Sequence, residues 1–388
     1  MNRTASLISL PLCLVLFLAL AGPLIADPPS DGDDLVIGHY RTIHSDVLGE
    51  DRLLSIYLPY GYAEVDDRFP VLYLNGAMTY LHVMQAAVTT EKLDGQGKTP
   101  QMIVVVVDNI DGSRDYMPVP TPNRPNGGKS DEYLSFMLDE LIPFINTNYR
   151  TVDYRILSGF STAGIFVVNT FLSNPEAFDA YIAASAELGW ANDHFTKAFQ
   201  ERLPVNNSMK KSIYLSYGSD DYQESVVDVM PSYIQMLEDL APDNLRWSVE
   251  MVEDGGHVPY TTLYNGLSFA FSGWQFPNSE LQERGLSGLK DFYSNLSVQY
   301  GFPIKVPGSL LRTLGASYLQ DEDQINNAVE VFKYYVESHP EVADAHYCLG
   351  AAYYRLKKSD LARACFEKAL DIMPTYLRAA RILERMDT

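Results

Sequence analysis

The sequence predicts an α/β fold, a doubly wound and mostly parallel sheet, followed by a small all-α domain. Residues 103–107 form an unbroken apolar run, which is typical of a parallel strand covered by helices on both faces. Strand-like and helical patterns alternate along the chain as far as Trp274, and such alternation describes a doubly wound sheet. Beyond Trp274 only helical spacing remains, which indicates a domain boundary near residue 276.

Strands are predicted from short β-rich runs bounded by turn residues. In chain order their sequences are VIGHYRTIHS, RLLSIYLP, PVLYLNG, MIVVVVD, YRILSG, AYIAAS, SIYLSYG and RWSVEMV. Apolar residues at intervals of three and four predict one helix over residues 131–149. Further helices are predicted from about Ala163, near Met230 to Leu240 and from about Tyr260.

The first 26 residues are predicted to be a signal peptide. They contain a single charge, Arg3, ahead of an apolar run at residues 12–20 that is too short to span a membrane comfortably. Ala21 and Ala26 offer cleavage points, and an uncleaved N-terminal anchor is the alternative interpretation. Cleavage would export the protein to the periplasm or the medium with no stable membrane span.

Four regions are predicted, because a chain of 388 residues exceeds the usual size of a single core. After the signal peptide, residues 27–276 form the α/β domain. Residues 277–305 carry a bridging helix, whose apolar residues share one face and which is expected to pack beneath the C-terminal domain. Residues 306–388 form that last domain, and its sequence contains an internal repeat.

The C-terminal repeat has the 34-residue tetratricopeptide spacing. From Ala343 onward the matching positions are Leu349, Gly350, Tyr353, Ala362, Phe366, Ala369 and Pro374. His346 stands where the pattern has its first aromatic residue. An earlier copy has one extra residue in the turn around residues 321–323, and its matching positions are Leu314, Gly315, Tyr318, Ala328, Phe332 and Pro340. A helix over residues 375–386 is expected to cap the stack, and the repeats are expected to bind a protein or peptide partner.

The balance of charge argues against several classes of partner. The 29 basic residues fall to 28 when Arg3 is removed with the signal peptide, against 50 acidic residues, so the formal charge is about −22. Such a charge repels nucleic acid and anionic membranes, and neither is expected as a partner. Apart from Cys13 in the predicted signal peptide, the cysteines are Cys348 and Cys365. Both fall in the C-terminal domain, and the sequence leaves open whether they pair.

A nucleophile elbow is predicted at residues 159–164, which read GFSTAG. The segment follows a predicted strand and precedes a helix, and at such a turn a serine hydroxyl is held above the edge of the sheet. The backbone closes there only when the residues two before and two after the serine are small, here Gly159 and Ala163. Ala163 replaces the usual glycine. Ser161 is therefore the candidate nucleophile.

A serine needs a nearby base, and in the α/β-hydrolase fold the acid and then the histidine follow it along the chain. His257 lies in the loop DGGHVP after the last predicted strand and is the candidate base. The acid is expected after the strand SIYLSYG, where it would hold the imidazole tautomer. Asp221 is favoured, with Asp220 as the alternative acid and Glu224 also open.

Two backbone N–H groups are expected to stabilise the negative charge that develops on the carbonyl oxygen during acyl transfer. Thr162 directly follows the nucleophile and is expected to supply the first. Ala77, in the loop after the strand PVLYLNG, is chosen for the second. The chemistry needs no metal and no organic cofactor.

With these residues located, the chain resembles the esterase family that includes ferric-siderophore esterases, S-formylglutathione hydrolases, feruloyl esterases and mycolyl transferases. The resemblance covers roughly residues 35–275 and rests on the segments RLLSIYLPYGY, FPVLYLNGA, SRDYMPVP, DELIPFINTNYRT, GFSTAG and EDGGHVPY. It is greatest to the siderophore esterases, because SRDYMP is similar to the arginine-containing loop of that branch. The resemblance implies hydrolysis of an ester, with a siderophore trilactone as the substrate.

The resemblance also implies that Arg114 faces the substrate pocket, whereas a local ion pair with Asp115 is the alternative. Three positions depart from the family pattern. Asn75 stands where aspartate is common, Phe160 where histidine is frequent, and Ala186 where a proline lies between two serines. The first two are adjacent to the predicted site, so they bear on the choice of substrate.

The predicted function is an exported serine esterase that cleaves a small-molecule ester through an acyl-enzyme. A siderophore trilactone is the narrower substrate hypothesis, and a short-acyl or aryl ester of the feruloyl type is the alternative. A hypothesis from another class is a non-catalytic protein that binds its partner through the repeats. The intact set of serine, histidine and acid favours the enzyme.

Overall fold

The structure is a computed structural model, and it describes residues 36–76, 80–108, 110–191, 193–203 and 210–387. The predicted signal peptide, residues 1–26, lies outside the described residues. The chain divides into two compact units, Val36–Val306 and a C-terminal unit that begins at Pro307. The first unit contains the sheet, and the described part of the second consists of helices and turns.

An eight-stranded sheet forms the centre of the first unit. Its strands are β1 (His39–Ser45), β2 (Glu50–Tyr57), β3 (Phe69–Asn75), β4 (Ile103–Val107), β5 (Thr151–Phe160), β6 (Ala180–Ala184), β7 (Ser212–Gly218) and β8 (Arg246–Val252). They lie in the order β1-β2-β4-β3-β5-β6-β7-β8. The β1–β2 and β2–β4 pairs are antiparallel, whereas every pair from β4 to β8 is parallel. The prediction of a mostly parallel sheet is confirmed.

Helices flank the sheet and bury its strands on both faces. Val105 and Val107 belong to one apolar core, the alternate residues Val104 and Val106 point the opposite way, and all four are at most 1% exposed. The helices of this unit are α1 (Tyr80–Gly95), α2 (Gly112–Tyr116), α3 (Ser130–Ser135), α4 (Ile142–Asn148), α5 (Thr162–Ser173), α6 (His194–Arg202), α7 (Glu224–Val227), α8 (Met230–Leu240), α9 (Thr262–Ala270) and α10 (Leu281–Tyr300). α5 packs on β5 and β6, and α1 packs on α9.

The segment predicted as one helix over residues 131–149 contains a change of helix type. α3 passes into a π-helical segment, Phe136–Leu141, before α4 begins. Pro143 lies in the first turn of α4 and has no N–H to donate to an earlier carbonyl. The wider turn before it accommodates that missing hydrogen bond.

Helix α1 has no counterpart among the sequence-based predictions. Its buried face includes the small residues Ala86 and Ala87 together with Thr90 and Leu93, so the apolar periodicity is weak. The Thr90 hydroxyl donates to the backbone oxygens of Ala86 and Ala87, which satisfies this polar group inside the helix. Small and self-satisfied residues can therefore form a packing face that the sequence pattern does not reveal.

The end of α1 provides a test of stability against pH. Burial, together with the negative charge of Glu91, raises the pKa of Asp94 from 3.8 to about 7. The folded protein therefore holds this proton at pH values where the unfolded chain has lost it, and stability falls as the pH rises through that window. We expect Asp94→Asn to raise the free energy of unfolding by roughly 4 kcal/mol at pH 8 and very little at pH 3.

Thermal unfolding of Asp94→Asn at both pH values checks this expectation, and the exposed Asp66→Asn serves as the matched control. Asp66 lies on the surface, so its substitution should shift the midpoint little at either pH. An equal gain at both pH values for Asp94→Asn would contradict the titration argument, because it would indicate a contact effect of the amide.

Helix α10 corresponds to the predicted bridging helix and belongs to the first unit. Gly285 lies within it at φ 55°, ψ −155°, and this kink separates its first residues from the continuous part that follows. Near its end the ring of Tyr300 packs against Phe271 and Trp274 at centroid distances of 5.3 and 5.4 Å. These ring contacts pack α10 against the segment that follows α9.

The C-terminal unit consists of α11 (Gly308–Tyr318), α12 (Ile325–Ser338), α13 (Ala343–Arg355), α14 (Ser359–Ile372) and α15 (Leu377–Asp387). The repeat glycines are required because each lies against a phenylalanine ring. A Cβ on Gly315 would be 2.4 Å from Phe332, and one on Gly350 would be 2.7 Å from Phe366. At the departure from the repeat pattern, His346 Nε2 lies 2.8 Å from the backbone oxygen of Pro340.

The extra residue of the first repeat lies in a short 3-10 turn, Glu322–Gln324, between α11 and α12. Cys348 and Cys365 are both free thiols, which answers the question left open by the sequence. Within the described ranges, no helix is long and apolar enough to cross a membrane.

The carboxyl ends of the parallel strands form one edge of the sheet. Register pairs Asn75 with Gly159, Phe160 with Ala184, and Gly218 with Val252, so the loops that follow β3, β5, β6, β7 and β8 all leave from this edge. The chain also reverses its direction across the sheet between β4 and β5, which places a crevice at the same edge. Ser161, Asp221 and His257, which follow β5, β7 and β8, therefore converge on it.

Candidate active site

Ser161 lies in the sharp turn between β5 and α5. Its backbone has φ 53° and ψ −122°, a conformation that costs energy for a residue with a side chain, and its N–H donates to the backbone oxygen of Ala184 at 2.8 Å. A Cβ on Gly159 would be 2.6 Å from the backbone oxygen of Ala163. The small residues of the predicted elbow are thus required by a close approach of the strand and the helix.

The structure brings Ser161, His257 and Asp221 together. The Oγ atom of Ser161 lies 3.0 Å from His257 Nε2, and the Asp221 carboxylate lies 2.9 and 3.0 Å from Nδ1 of the same ring. The side chain of Asp221 is fully buried, while that of His257 is 15% exposed. This arrangement can move a proton from the serine to the imidazole while the carboxylate stabilises the imidazolium.

Asp220, the alternative acid, has a different neighbour. Its Oδ1 accepts a hydrogen bond of 2.7 Å from the backbone N–H of Gly256, the residue before His257. Gly218 allows the two loops to meet, because a Cβ there would be 2.2 Å from the backbone oxygen of Gly256. Asp220 therefore holds the backbone of the histidine loop, and Glu224, the other candidate, begins α7.

The histidine loop is also held from the end of β6. Val258 has φ 63°, which is rare for a β-branched residue, and its N–H donates to Ser185 Oγ at 2.9 Å. Ser185 is itself fully buried at φ 45°. Two neighbouring strands thus constrain the backbone on both sides of His257, which fixes the position of the ring.

The structure describes only one of the two predicted oxyanion donors. Thr162 is the first residue of α5, so its backbone N–H has no acceptor within the helix and is available at the serine. Ala77 lies outside the described residues, and its role stays a prediction. The preceding Gly76, at φ 84°, lies against the elbow, since a Cβ there would be 2.9 Å from the Cβ of Ala163.

Arg114 lies in an ionic cluster. Its guanidinium donates to both oxygens of Glu50 at 3.0 and 2.6 Å and to Asp115 at 2.7 Å, and these contacts raise its pKa further. Arg52 joins the same cluster, fully buried beside Asp115. The structure does not bring Arg114 to the serine in any described contact, and the local ion pair considered from the sequence is present. A substrate contact by Arg114 stays a prediction.

Two charged residues that the sequence analysis did not select reach the elbow, Glu187 at Ser161 and Arg124 at Thr162. The hydroxyl of Ser161 is 3.3 Å from Glu187 Oε1, within donating distance, and Arg124 donates to Thr162 Oγ1 at 3.2 Å. Arg124 Nη2 and Glu187 Oε2 are 3.6 Å apart. Glu187 follows β6 closely, so its place at the carboxyl edge could have been inferred from topology, whereas the loop around Arg124 carries no such signal.

A cavity of about 290 Å³ opens beside His257. On one side His82 stacks on Phe160, with ring centroids 4.8 Å apart. Tyr222 lies with its ring 4.9 Å from that of His257, and Tyr260 lines the cavity; both tyrosines are more than 70% exposed. The cavity can therefore accept an acyl or alcohol group with aromatic character.

The three departures from the family pattern have clear surroundings. Asn75 is fully buried, and its Oδ1 accepts a hydrogen bond of 2.7 Å from the Tyr133 hydroxyl. Phe160 forms the stacked wall of the cavity just described. Ala186 packs against α5, since a Cβ placed on Gly164 of that helix would be 3.0 Å from the Cβ of Ala186.

Comparison with known proteins defines the class. Residues 45–232 match the sequence profile of the family described as "Putative esterase", and residues 343–376 match a tetratricopeptide repeat. Residues 45–232 are thus similar to this esterase family, and the C-terminal unit carries the predicted repeat. The α/β-hydrolase fold and the activity class, hydrolysis of esters, follow from this match together with the relatives of the chain.

Among those relatives is the ferri-bacillibactin esterase BesA of Bacillus subtilis, 28% identical over 224 residues that cover 49% of this chain and 74% of the relative. An endo-1,4-beta-xylanase/feruloyl esterase of Xylanibacter ruminicola is 28% identical over 151 residues, 35% of this chain and 20% of that protein. The fold is similar to that of an IroE-like serine hydrolase from Shewanella oneidensis, with a TM-score of 0.66 at 21% identity, over 77% of this chain and 99% of the other.

Proposed function

We propose that this chain is an exported serine ester hydrolase in which Ser161, His257 and Asp221 form a catalytic triad. The observation that carries the proposal is the 3.0 Å contact between Ser161 Oγ and His257 Nε2, with the buried Asp221 carboxylate on the other ring nitrogen. The strained backbone of Ser161 supports it, since strain of this kind persists where the surrounding structure enforces it for function.

In the proposed reaction His257 Nε2 accepts the proton of Ser161 as Oγ attacks the ester carbonyl carbon. The carbonyl oxygen gains the negative charge and accepts hydrogen bonds from the N–H groups of Thr162 and, as proposed, Ala77. The imidazolium then returns the proton to the departing alcohol oxygen, which leaves an acyl group on Ser161. Water attacks this acyl group with the same proton transfers and releases the acid.

The test is covalent labelling with a fluorophosphonate, which reacts with an activated serine. We expect one label per chain, located at Ser161 by peptide mass analysis, and none on His257→Ala, since that variant has no base to activate the hydroxyl. The matched control is His339→Ala. His339 lies between α12 and α13 of the C-terminal unit, and this variant should label at the wild-type rate. Labelling at another serine, or labelling unaffected by His257→Ala, would contradict the triad.

The substrate proposed for this reaction is a siderophore trilactone. The relative with the longer match acts, by its name, on ferri-bacillibactin, and its matching region covers most of its own length. An aryl ester of the feruloyl type is the second candidate, supported by the other relative and by the aromatic side chains of Phe160 and Tyr260, which line the cavity. Hydrolysis rates for a ferric trilactone and for ethyl ferulate, measured by mass spectrometry, separate the two.

The remaining parts of the proposal concern the ends of the chain. Residues 1–26 are proposed to direct export and to be cleaved, which would leave residues 27–276 as the catalytic domain and 277–305 as its bridging helix. The repeats in residues 306–388 are proposed to bind a protein or peptide partner, as helical repeats commonly do with their concave surfaces.

A further inference from the structure

The carboxylate of Glu187 occupies an unusual position for an enzyme that builds up negative charge at its serine. Its side chain is only 6% exposed, and Oε1 lies 3.3 Å from the nucleophilic oxygen. Ser161 has one hydroxyl proton and two acceptors within reach, Glu187 Oε1 and His257 Nε2. When the proton passes to His257, Glu187 loses the hydrogen bond from the serine.

A buried carboxylate that loses its donor pays a desolvation penalty unless another donor replaces it. Arg124 offsets the charge in part, but its Nη2 is 3.6 Å from Oε2, too far for a good hydrogen bond. The other terminal nitrogen, Nη1, donates to Thr162 Oγ1 instead. Glu187 therefore keeps the capacity to accept a hydrogen bond from the substrate.

The position of Oε1 defines which part of the substrate can supply that donor. Ser161 Oγ bonds to the carbonyl carbon during attack. A substituent on the adjacent carbon of the acyl part is only two bonds from that carbonyl carbon. A donor group on that carbon can therefore approach the Glu187 carboxylate, which lies beside Oγ. An ammonium group would gain both a hydrogen bond and charge attraction, a hydroxyl only the hydrogen bond, and a carboxylate would be repelled.

We propose that Glu187 is a specificity-determining residue that favours esters with a hydrogen-bond donor, N–H or hydroxyl, on the carbon next to the scissile carbonyl. Arg124 attracts Oε2 by charge across 3.6 Å, and Oε1 stays directed toward the serine. The proposal rests on the serine hydrolase function and narrows its substrate class. It also implies that the site discriminates against acyl groups with an anionic substituent at that carbon.

The test uses phenyl esters of four acids that share a CH(CH3)–X group: alanine, lactic acid, isobutyric acid and methylmalonic acid. Here X is ammonium, hydroxyl, methyl or carboxylate. In mildly acidic buffer, with spontaneous hydrolysis subtracted, we expect kcat/KM to fall in that order. Glu187→Gln should lower the ratio of the alanine ester to the isobutyrate ester by about 10- to 100-fold, since the neutral amide loses the charge attraction between carboxylate and ammonium.

The isobutyrate ester is the internal reference, because any effect of Glu187→Gln on the serine itself enters the rates of both esters and cancels in their ratio. Glu140→Gln is the matched variant; Glu140 is a carboxylate that binds Ser45 and the N–H of Val47 at the end of β1, and its loss should leave the ratio unchanged. A wild-type enzyme without preference for the alanine ester, or a Glu187→Gln variant with an unaltered ratio, overturns the proposal. Loss of the serine mechanism itself would appear separately, as failure of the fluorophosphonate to label Ser161.

Discussion

Replacing Ser161 with alanine is expected to lower kcat for an activated aryl ester by roughly 10⁶-fold, the size of effect seen when a serine hydrolase loses its nucleophile. The variant keeps the backbone N–H of Thr162 and the bound position of the substrate, so residual turnover above the uncatalysed rate should remain. The hydroxyl accounts for the loss because no other atom of the site can form the acyl intermediate. Steady-state turnover of a chromogenic ester measures it.

The control for this variant lies in the helix that begins just after the elbow. Ser173 ends α5, and its hydroxyl donates to the backbone oxygen of Asn169 within the helix. Ser173→Ala should retain wild-type kcat, and both variants should unfold at temperatures close to that of the wild type. Full turnover by Ser161→Ala would contradict the proposed mechanism. A loss of activity caused by misfolding of the variant would show as a lowered transition temperature.

The adjacent carboxylates Asp220 and Asp221 allow a second comparison with a large expected difference. We expect Asp221→Asn to lower kcat by about 10⁴-fold, because the amide no longer stabilises the imidazolium and favours the wrong tautomer of His257. Asp220→Asn should cost less than about 10-fold, since its side-chain oxygen can still accept the N–H of Gly256. Parallel measurements of kcat on one ester decide the assignment.

Folding must be separated from chemistry in Asp221→Asn, because this carboxylate is buried. The asparagine retains an oxygen that can accept the N–H of Gln223, the other contact of Asp221 Oδ1. Circular dichroism and the midpoint of thermal unfolding should therefore change little. A larger loss of kcat in Asp220→Asn than in Asp221→Asn would show that the proposed mechanism names the wrong carboxylate as the acid.

Local sequence patterns predicted most of the architecture. The continuous apolar residues of β4 signal burial on both faces, and each predicted strand corresponds to a strand of the sheet. The repeat spacing was equally informative, because Gly315 and Gly350 are fixed by direct contact with phenylalanine rings. α1 and the π-helical segment before Pro143 were not predicted, since small buried residues and a locally widened turn leave no periodic signal.

The sequence by itself determined the candidate nucleophile, because an elbow is a local feature in which Gly159, Ser161 and Ala163 constrain one another over a few residues. It also directed attention to His257 through chain order. Only the tertiary structure decided that Asp221, 36 residues from His257, contacts the ring while Asp220 holds the loop. The physical reason is that hydrogen bonds join loops from different strands, and side-chain direction at the sheet edge depends on how all those loops pack.

The same reason explains why charged neighbours of the serine were missed. Arg114 was selected from a motif, yet its guanidinium is bound within a cluster of carboxylates, whereas Arg124 and Glu187 reach the elbow. Glu187 is 26 residues from Ser161, and nothing in the intervening sequence states their separation in space. Sequence can therefore identify the candidate nucleophile of this protein, but the charges that surround it are set by the convergence of loops at one edge of the sheet.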